Sequence, residues 1–335
     1  MAVAVVVGAG AVGARAARQL VGAEAFEQVL VVDAAAPRAD AVAQSLGPIA
    51  RVATWSEARA AAPGVAVLAV PGDHRRWAEE VLDGGGDVVS TTGSRAGVAA
   101  LLALDDDARR AGRTVVAGAG FAPGLSCLLA RHAADGLDVI EEIHVARVGS
   151  GGPACTRDIV AAHAAGPGLD WRDGQWAPPP RRSGGELRWF PEPIAGRDCY
   201  PADVGDTALL VPAFPGVARV STRIGASRRD RALRRLPPLR RPPAEGLMGA
   251  VWVEVRGRRG AVTDSVVLGA LDRPALAAGV VAGVVASWVQ AGRIAGPGAA
   301  GLASLVPEPL SLLQELARRG VRAATFTGRD AGRAS

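Results

Sequence analysis

Lysine occurs nowhere in the 335 residues, so all 38 basic side chains are arginines. That absence excludes Schiff-base lysine chemistry and the lysine-bearing phosphate loops of Walker type. Aromatic residues are also scarce, at 4% of the chain. A core without them must be filled by Ala, Val and Leu, which suits helices packed on a parallel sheet. Cysteine is confined to Cys127, Cys155 and Cys199, odd in number and far apart. This argues against a disulfide framework and for a reducing, cytoplasmic setting. No metal-ligand spacing is present, and no basic n-region precedes the apolar start, so a leader peptide is not expected.

What the chain has is aliphatic bulk and glycine. With 49% hydrophobic residues it can bury a large core, and its length suits two domains. The formal charge of +5 is local: seven Arg and one Asp fall between Arg228 and Arg241. Interrupted by prolines and without interleaved aromatics, that run reads as a solvated loop, so a nucleic-acid partner is not expected. Pro274 to Gly292 carries no charge and contains Gly279 and Gly283 at GxxxG spacing. Its Ala and Gly richness, with Ser287 and Gln290, points to a helix buried between layers and not to a membrane span.

Residues 1 to 120 alternate short apolar runs with helical segments: Ala2–Val7, Val29–Val32, Val65–Val70, Asp87–Ser90 and Thr114–Ala117 read as strands. That rhythm predicts an α/β doubly wound parallel sheet of Rossmann type. The first apolar run passes directly into Gly8-Ala9-Gly10-Ala11-Val12-Gly13 and a helix. In this context the first glycine permits a tight turn, the second lets backbone N–H groups meet a pyrophosphate, and the third lets the helix pack on the strand. Asp33, twenty residues past Gly13, ends the second apolar run. An acidic side chain there can hydrogen-bond the adenosine ribose and disfavours a 2′-phosphate, so NAD is preferred; Arg38 nearby would still admit NADP. Ligands of open α/β sheets lie beyond the carboxyl ends of strands, which adds Val70, Pro71 and Thr91 to the cofactor side.

After Leu125 the texture becomes strand-rich, with runs at Val139–Val148, Glu186–Phe190, Ala208–Val211, Val217–Ile224, Met248–Arg256 and Ala261–Leu271. Between the two regions stands AGAGFAPGLS, Gly118-x-Gly120-x-x-x-Gly124, one residue too long for a second phosphate loop and carrying Pro123 where an N–H donor is wanted. It reads as a hinge.

VVVGAGAVG with Asp33, VLAVPGDH, GGGDVVSTTGS, DDDARRAGRTVVAGAGFAPGLS and, more loosely, LDWRDGQWAPPP, MGAVWVEVRGRRG and LVPEPLSLLQELARRGV together resemble the saccharopine dehydrogenase-like oxidoreductases. The resemblance implies a Rossmann domain over residues 1–124, a β-rich α+β substrate and dimerisation domain over 125–272, C-terminal helices over 273–327 returning to the first domain, and a flexible tail over 328–335. It implies NAD(P)-dependent hydride transfer at a C–N bond of a small amino- or imino-acid substrate, through an imine; the spare edges of a β-rich second domain point to a homodimer. Phe121, Pro123 and Gly124 would then border the cleft. Where many relatives have an Asp after the fifth strand, this chain has Ser90.

Hydride transfer at an imine needs a proton donor or acceptor with a pKa near neutrality. His74, past the Val70-Pro71 strand end, and His163, near Thr156 and Arg157, are the candidate acid–base residues; His132 and His144 read as structural. The Arg157 fork could hold a substrate carboxylate, with Thr156 beside it. Two other readings carry weight. A chain lacking an obvious proton relay could be a non-catalytic dinucleotide-binding or sensory protein. Alternatively, Cys155, as a thiolate stabilised by Arg157 and His163, could serve a semialdehyde dehydrogenase.

Overall fold

The computed structural model describes residues 2–180, 185–226, 243 and 245–326. The Arg228–Arg241 run and the tail from Gly328 lie outside the described residues. In the first part of the chain strand and helix alternate: β1 (Ala2–Val7), α1 (Ala11–Val21), β2 (Phe26–Val32), α2 (Ala36–Leu46), β3 (Ala50–Val52), α3 (Trp55–Ala60), β4 (Val65–Leu68), α4 (Arg75–Asp83), β5 (Asp87–Ser90), α5 (Arg95–Leu102), α6 (Asp105–Ala111) and β6 (Thr114–Val116). The second part runs α7 (Leu125–Ala134), β7 (Val139–Val148), α8 (Pro153–Ala164), β8 (Asp170–Arg172), β9 (Gln175–Ala177), β10 (Glu186–Phe190), β11 (Ala195–Pro201), α9 (Asp206–Ala213), β12 (Arg219–Gly225), β13 (Gly249–Arg259) and β14 (Val262–Asp272). It ends with α10 (Pro274–Gln290), β15 (Gly298–Ala300), α11 (Leu302–Leu305), α12 (Pro309–Arg318) and β16 (Arg322–Phe326).

Seven strands form one parallel sheet in the order β15-β6-β5-β4-β1-β2-β3. Its central strands are buried on both faces: Ala4 to Val7 and Val65 to Leu68 are all inaccessible or nearly so. This is why they read as unbroken apolar runs and not as alternating ones. The strand order reverses between β1 and β4, and the carboxyl ends on either side of that point carry the glycine loop and the Val70 turn. Helix α10, the uncharged segment, is buried almost end to end and packs against α1, β4 and β5. Among the described residues no helix is long and apolar enough to cross a membrane.

The second sheet is mixed, in the order β10-β11-β12-β7-β13-β14-β16, with the β8–β9 hairpin attached to β12. One face, including Ile143, Val145, Val251 and Val253, is buried with α7 in the main core. Two features differ from the sequence reading. Residues 208–211 were expected to be a strand and instead lie in α9. ALLV is short and wholly apolar, and such runs have no periodicity that separates a buried strand from a buried helix. The second is an addition: GAA at Gly298–Ala300 extends the parallel sheet beyond β6, too short and too glycine-rich to be read as a strand.

Candidate active site

The first glycine loop has the three features its spacing implies. Gly8 sits at φ +104°, and a Cβ there would lie 2.5 Å from the Ala69 carbonyl oxygen. A Cβ on Gly13 would collide with the Gly8 carbonyl, so the third glycine lets α1 press on the turn. At Gly10 a Cβ would meet nothing within 4 Å. Gly10 is also the N-cap of α1 and makes no side-chain cap. The first N–H groups of a helix have no intrahelical acceptor, and Ala11, Val12 and Gly13 therefore form, with Gly10, an open positive end suited to a diphosphate.

Asp33 braces this loop from the end of β2. Its Oδ2 accepts from the Ala9 N–H at 2.7 Å, and its Oδ1 accepts from the Ala35 N–H at 2.8 Å and Arg38 Nη2 at 2.7 Å. Burial pushes the carboxyl up, but the Arg38, Ala35 and Ala9 hydrogen bonds outweigh it and hold it below the usual carboxylate range. The site that would face the adenosine ribose is thus an ionised carboxylate with an exposed arginine on it. The residues present fit a dinucleotide: an open helix N-terminus for the diphosphate and an acceptor for the ribose.

Beyond β4 and β5 the loops are tied together by His74, which is buried. Its Nε2 lies 2.7 Å from the Val70 carbonyl and its Nδ1 lies 2.7 Å from Ser90 Oγ. A carbonyl can only accept, so the network assigns the proton to Nε2 and makes Nδ1 the acceptor of the Ser90 hydroxyl. Ser90 Oγ accepts in turn from the Thr92 N–H at 3.2 Å. Thr91 is pinned separately, its hydroxyl and N–H both donating to Leu68 O at 3.0 Å. The neutral imidazole therefore fixes the Val70-Pro71 turn against the Ser90–Thr92 turn, with both ring nitrogens engaged.

This latch has a pH signature. Burial pulls the His74 pKa down, so between the folded value and the ordinary histidine value the unfolded chain binds more protons. Stability is then intact above about pH 6.5 and is lost as pH falls, with a slope of up to ~1.4 kcal/mol per pH unit for this group. His74→Gln keeps one donor and one acceptor but no titrating ring. Thermal melts between pH 5 and 8 should show a shallower acid limb in that variant, while buried His144, also shifted down, keeps its own share. An unchanged limb would exclude His74 as a source of the acid dependence.

The second glycine turn is closed on itself. Gly120 N–H donates to Pro123 O at 2.9 Å, Leu125 N–H to Gly120 O at 2.9 Å and Ser126 N–H to Phe121 O at 3.3 Å. Gly124, at φ +126°, is the N-cap of α7, which places Pro123 one residue before the cap and not in the first helical turn. With the Gly120, Leu125 and Ser126 donors consumed internally, the turn is a poor cradle for a phosphate. Phe121, Pro123 and Gly124 are all buried, and they carry the chain from β6 into the second sheet.

Helix α8 brings the remaining candidates near this junction. Thr156 is half-buried and its hydroxyl donates to Gly152 O at 3.2 Å, within its own helix; Arg157 is exposed. The side chain of His163 lies outside the described residues. Asp158, which the sequence reading passed over, is close enough to His74, Arg147 and Arg157 to feel all three, although burial still pushes its carboxyl up. Cys155 differs from expectation. Burial, then the Asp158 carboxylate, push its thiol up more than Arg147 pulls it down, so a thiolate is disfavoured. Cys127 and Cys199 are pushed up by burial to about 12. A shallow pocket of about 410 Å³ between the β8–β9 hairpin and α9 is lined by none of these residues.

No protein-family model matches the chain, and no curated protein does. Solved structures do. Apo saccharopine dehydrogenase (L-Glu forming) from Saccharomyces cerevisiae aligns over 97% of this chain and 100% of its own, with TM-score 0.70 and 15% identity. DAP dehydrogenase of C. glutamicum, in complex with DAP, aligns over 96% and 99% with TM-score 0.51 and 16% identity. Amine dehydrogenase from Mycobacterium smegmatis aligns over 91% and 96% with TM-score 0.50 and 13% identity. At such identities the likeness is one of architecture. The chain has a saccharopine dehydrogenase-like fold, the fold that the sequence resemblance implied.

Proposed function

We propose that the protein is an NAD(P)-dependent oxidoreductase of saccharopine dehydrogenase type, acting at a C–N bond of a small amino- or imino-acid. The observation that carries this reading is the first glycine loop, whose open Gly10 and ionised Asp33 match the two ends of an adenosine diphosphate. NAD(P) would supply the hydride acceptor or donor. Residues 1–124 would hold it, through Gly8, Gly10, Ala11, Val12, Gly13 and Asp33, with Val70, Pro71, Thr91 and Phe121 on the nicotinamide side. The structural neighbours named for saccharopine, DAP and amine substrates lend support to C–N chemistry, as does the sequence resemblance.

In this reading His74 orients the strand-end loops, and a proton role for it requires one of its two hydrogen bonds to open. Asp158, whose carboxyl is pushed up by burial and lies within electrostatic reach of His74, is a second candidate to carry a proton to or from the nitrogen. His163, Thr156 and Arg157 line the same helix and complete the substrate side. A homodimer through the second sheet belongs to the same proposal.

Titration with NADH and NADPH, followed by nicotinamide fluorescence, tests the reading; absence of saturable binding to either would end it. Arg38 decides between the two. Arg38→Ala should weaken NADPH by about tenfold, the value of one charge-assisted contact, and leave NADH within about twofold. A rival reading, a dinucleotide-binding sensor, draws on the full engagement of His74. Turnover of nicotinamide with any member of an amine and 2-oxo-acid panel would exclude it.

A further inference from the structure

Side chains on β7 alternate between faces, so Arg147 points to the side that Ile143 and Val145 fill with core. A guanidinium is out of place there unless something receives it. Its Nη1 donates to the Ala122 carbonyl at 2.5 Å, in the hinge turn. Its Nε is buried and has no hydrogen-bond partner, and no carboxylate among the described residues forms an ion pair with it. Buried N–H groups are rarely left unpaired, and an unpaired charged one is costly.

None of the acids around Arg147 reaches it by a hydrogen bond or ion pair among the described residues. The acidic groups that it feels are Asp206 and Asp158, with the Cys155 thiol. Asp206 is fully buried at the start of α9; its Oδ1 accepts from Ser126 at 2.5 Å and its Oδ2 has no partner. Burial pushes that carboxyl up more than Arg147 and Ser126 pull it down, while an arginine keeps its proton at any working pH. Asp158 lies on α8, within electrostatic reach of both Arg147 and His74. The junction therefore holds a cation fixed on the hinge turn through Ala122, with an acid within electrostatic reach of it and of His74.

We propose that Arg147 is the anchor for a substrate carboxylate, received on the Nε–Nη2 edge of a guanidinium whose plane is set by the Ala122 carbonyl. That edge is the one on which arginine takes both oxygens of a carboxylate. The substrate is then an amino acid, or the imine formed from one, and not a simple amine. The proposal rests on the oxidoreductase reading for its chemistry, but its test is a binding test. It also moves the carboxylate clamp from exposed Arg157 to a residue one strand away.

Full-length protein, with and without NADH, is titrated calorimetrically with the proteinogenic L-amino acids and with the amine that decarboxylation of each would give. At least one amino acid should bind saturably where its amine does not. Arg147→Gln should weaken that amino acid roughly 10- to 100-fold, the loss expected for a charged hydrogen-bonded contact, with NADH affinity unchanged. Should Arg147→Gln fail to fold, Arg147→Lys, which keeps the charge and loses the fork, replaces it and should show an intermediate loss. An amine bound as tightly as its amino acid, wild-type affinity in a folded Arg147 variant, or no amino acid bound at all, overturns the anchor. Failure of NADH alone to bind overturns the oxidoreductase reading and leaves the cofactor-free titration to decide the anchor.

Discussion

Gly10→Asp should give a protein that is folded, no less stable than the wild type, and unable to bind a dinucleotide. Gly10 lies at φ −72° and ψ −175°, extended backbone that any residue adopts, and an added Cβ meets nothing within 4 Å. Asp is moreover a better N-cap than Gly, by a few tenths of a kcal/mol, and its charge suits the positive end of α1. The same carboxylate would stand where a diphosphate has to approach. Two like charges at ~5 Å and an effective dielectric near 20 repel by ~3 kcal/mol, so NADH affinity should fall by more than about 100-fold. The thermal midpoint without ligand should hold or rise, and the rise that NADH gives the wild type should vanish. Gly13→Ala should behave in the opposite way, because its Cβ collides with the Gly8 carbonyl and the cost falls on folding, at ~1–3 kcal/mol. Unaltered NADH affinity in Gly10→Asp would remove the glycine loop from the site.

These two glycines illustrate how much of the site a sequence can carry. The spacing of Gly8, Gly10 and Gly13 and the distance to Asp33 are local: a strand, a turn, a helix and the next strand end. Their geometry follows from covalent connection and was legible. The parallel sheet was legible for a related reason, since strands buried on both faces must be apolar throughout. The turn at Gly118–Gly124 could be told from a phosphate loop by its spacing, while Pro123, read into the first helical turn, in fact precedes the cap of α7.

Arg147 was not legible. In VIEEIHVARV it is one charge among several, and alternation alone cannot say which face of a strand is the wet one. The neighbours of β7 settle that: β12 on one side and β13 on the other put Glu142 and His144 in the charged array with Arg256, Ser221 and Glu254. Ile143 and Val145 then take the core face, and Arg147 with them. The His74 latch was half legible. Its place past a strand end could be read, but its partner Ser90 lies sixteen residues away on another strand, and a long-range hydrogen bond has no sequence signal. Cys155 failed for the same reason in reverse. Arg157 and His163 nearby suggested a thiolate, while burial and Asp158, which prevail, come from tertiary packing. The strand expected at 208–211 is the purest case: four apolar residues can serve either element, and only the contacts of α9 with α5, α7 and β12 decide.

Gly283→Ala should destabilise the fold, against the ordinary sign of a glycine-to-alanine change in a helix. In a helix interior alanine is favoured over glycine by ~1 kcal/mol, so a mid-helix glycine persists only where something needs the missing Cβ. Here that something is α1. A Cβ on Gly283 would lie 2.6 Å from Gln19 Cβ and 2.8 Å from the Ala16 carbonyl oxygen; one on Gly279 would meet the Val12 carbonyl and lie 2.6 Å from Arg15 Cβ. Backbone atoms cannot swing aside, so the helices must separate. Separation opens the core that α10 shares with β4 and β5, and overpacking of that kind costs ~1–3 kcal/mol for a small increment. Gly279→Leu, three carbons larger again, should cost more than about 4 kcal/mol, which is a large part of the stability of an ordinary domain. The effect reaches function, because Val12, Arg15 and Ala16 belong to the first turns of the helix whose N-terminus would receive the diphosphate. Urea unfolding should show a lower midpoint with an unchanged slope for Gly283→Ala, and NADH affinity in the folded fraction should fall with it. A higher midpoint would mean that α1 and α10 are not in this contact, and the uncharged segment would then need another explanation for its pair of glycines.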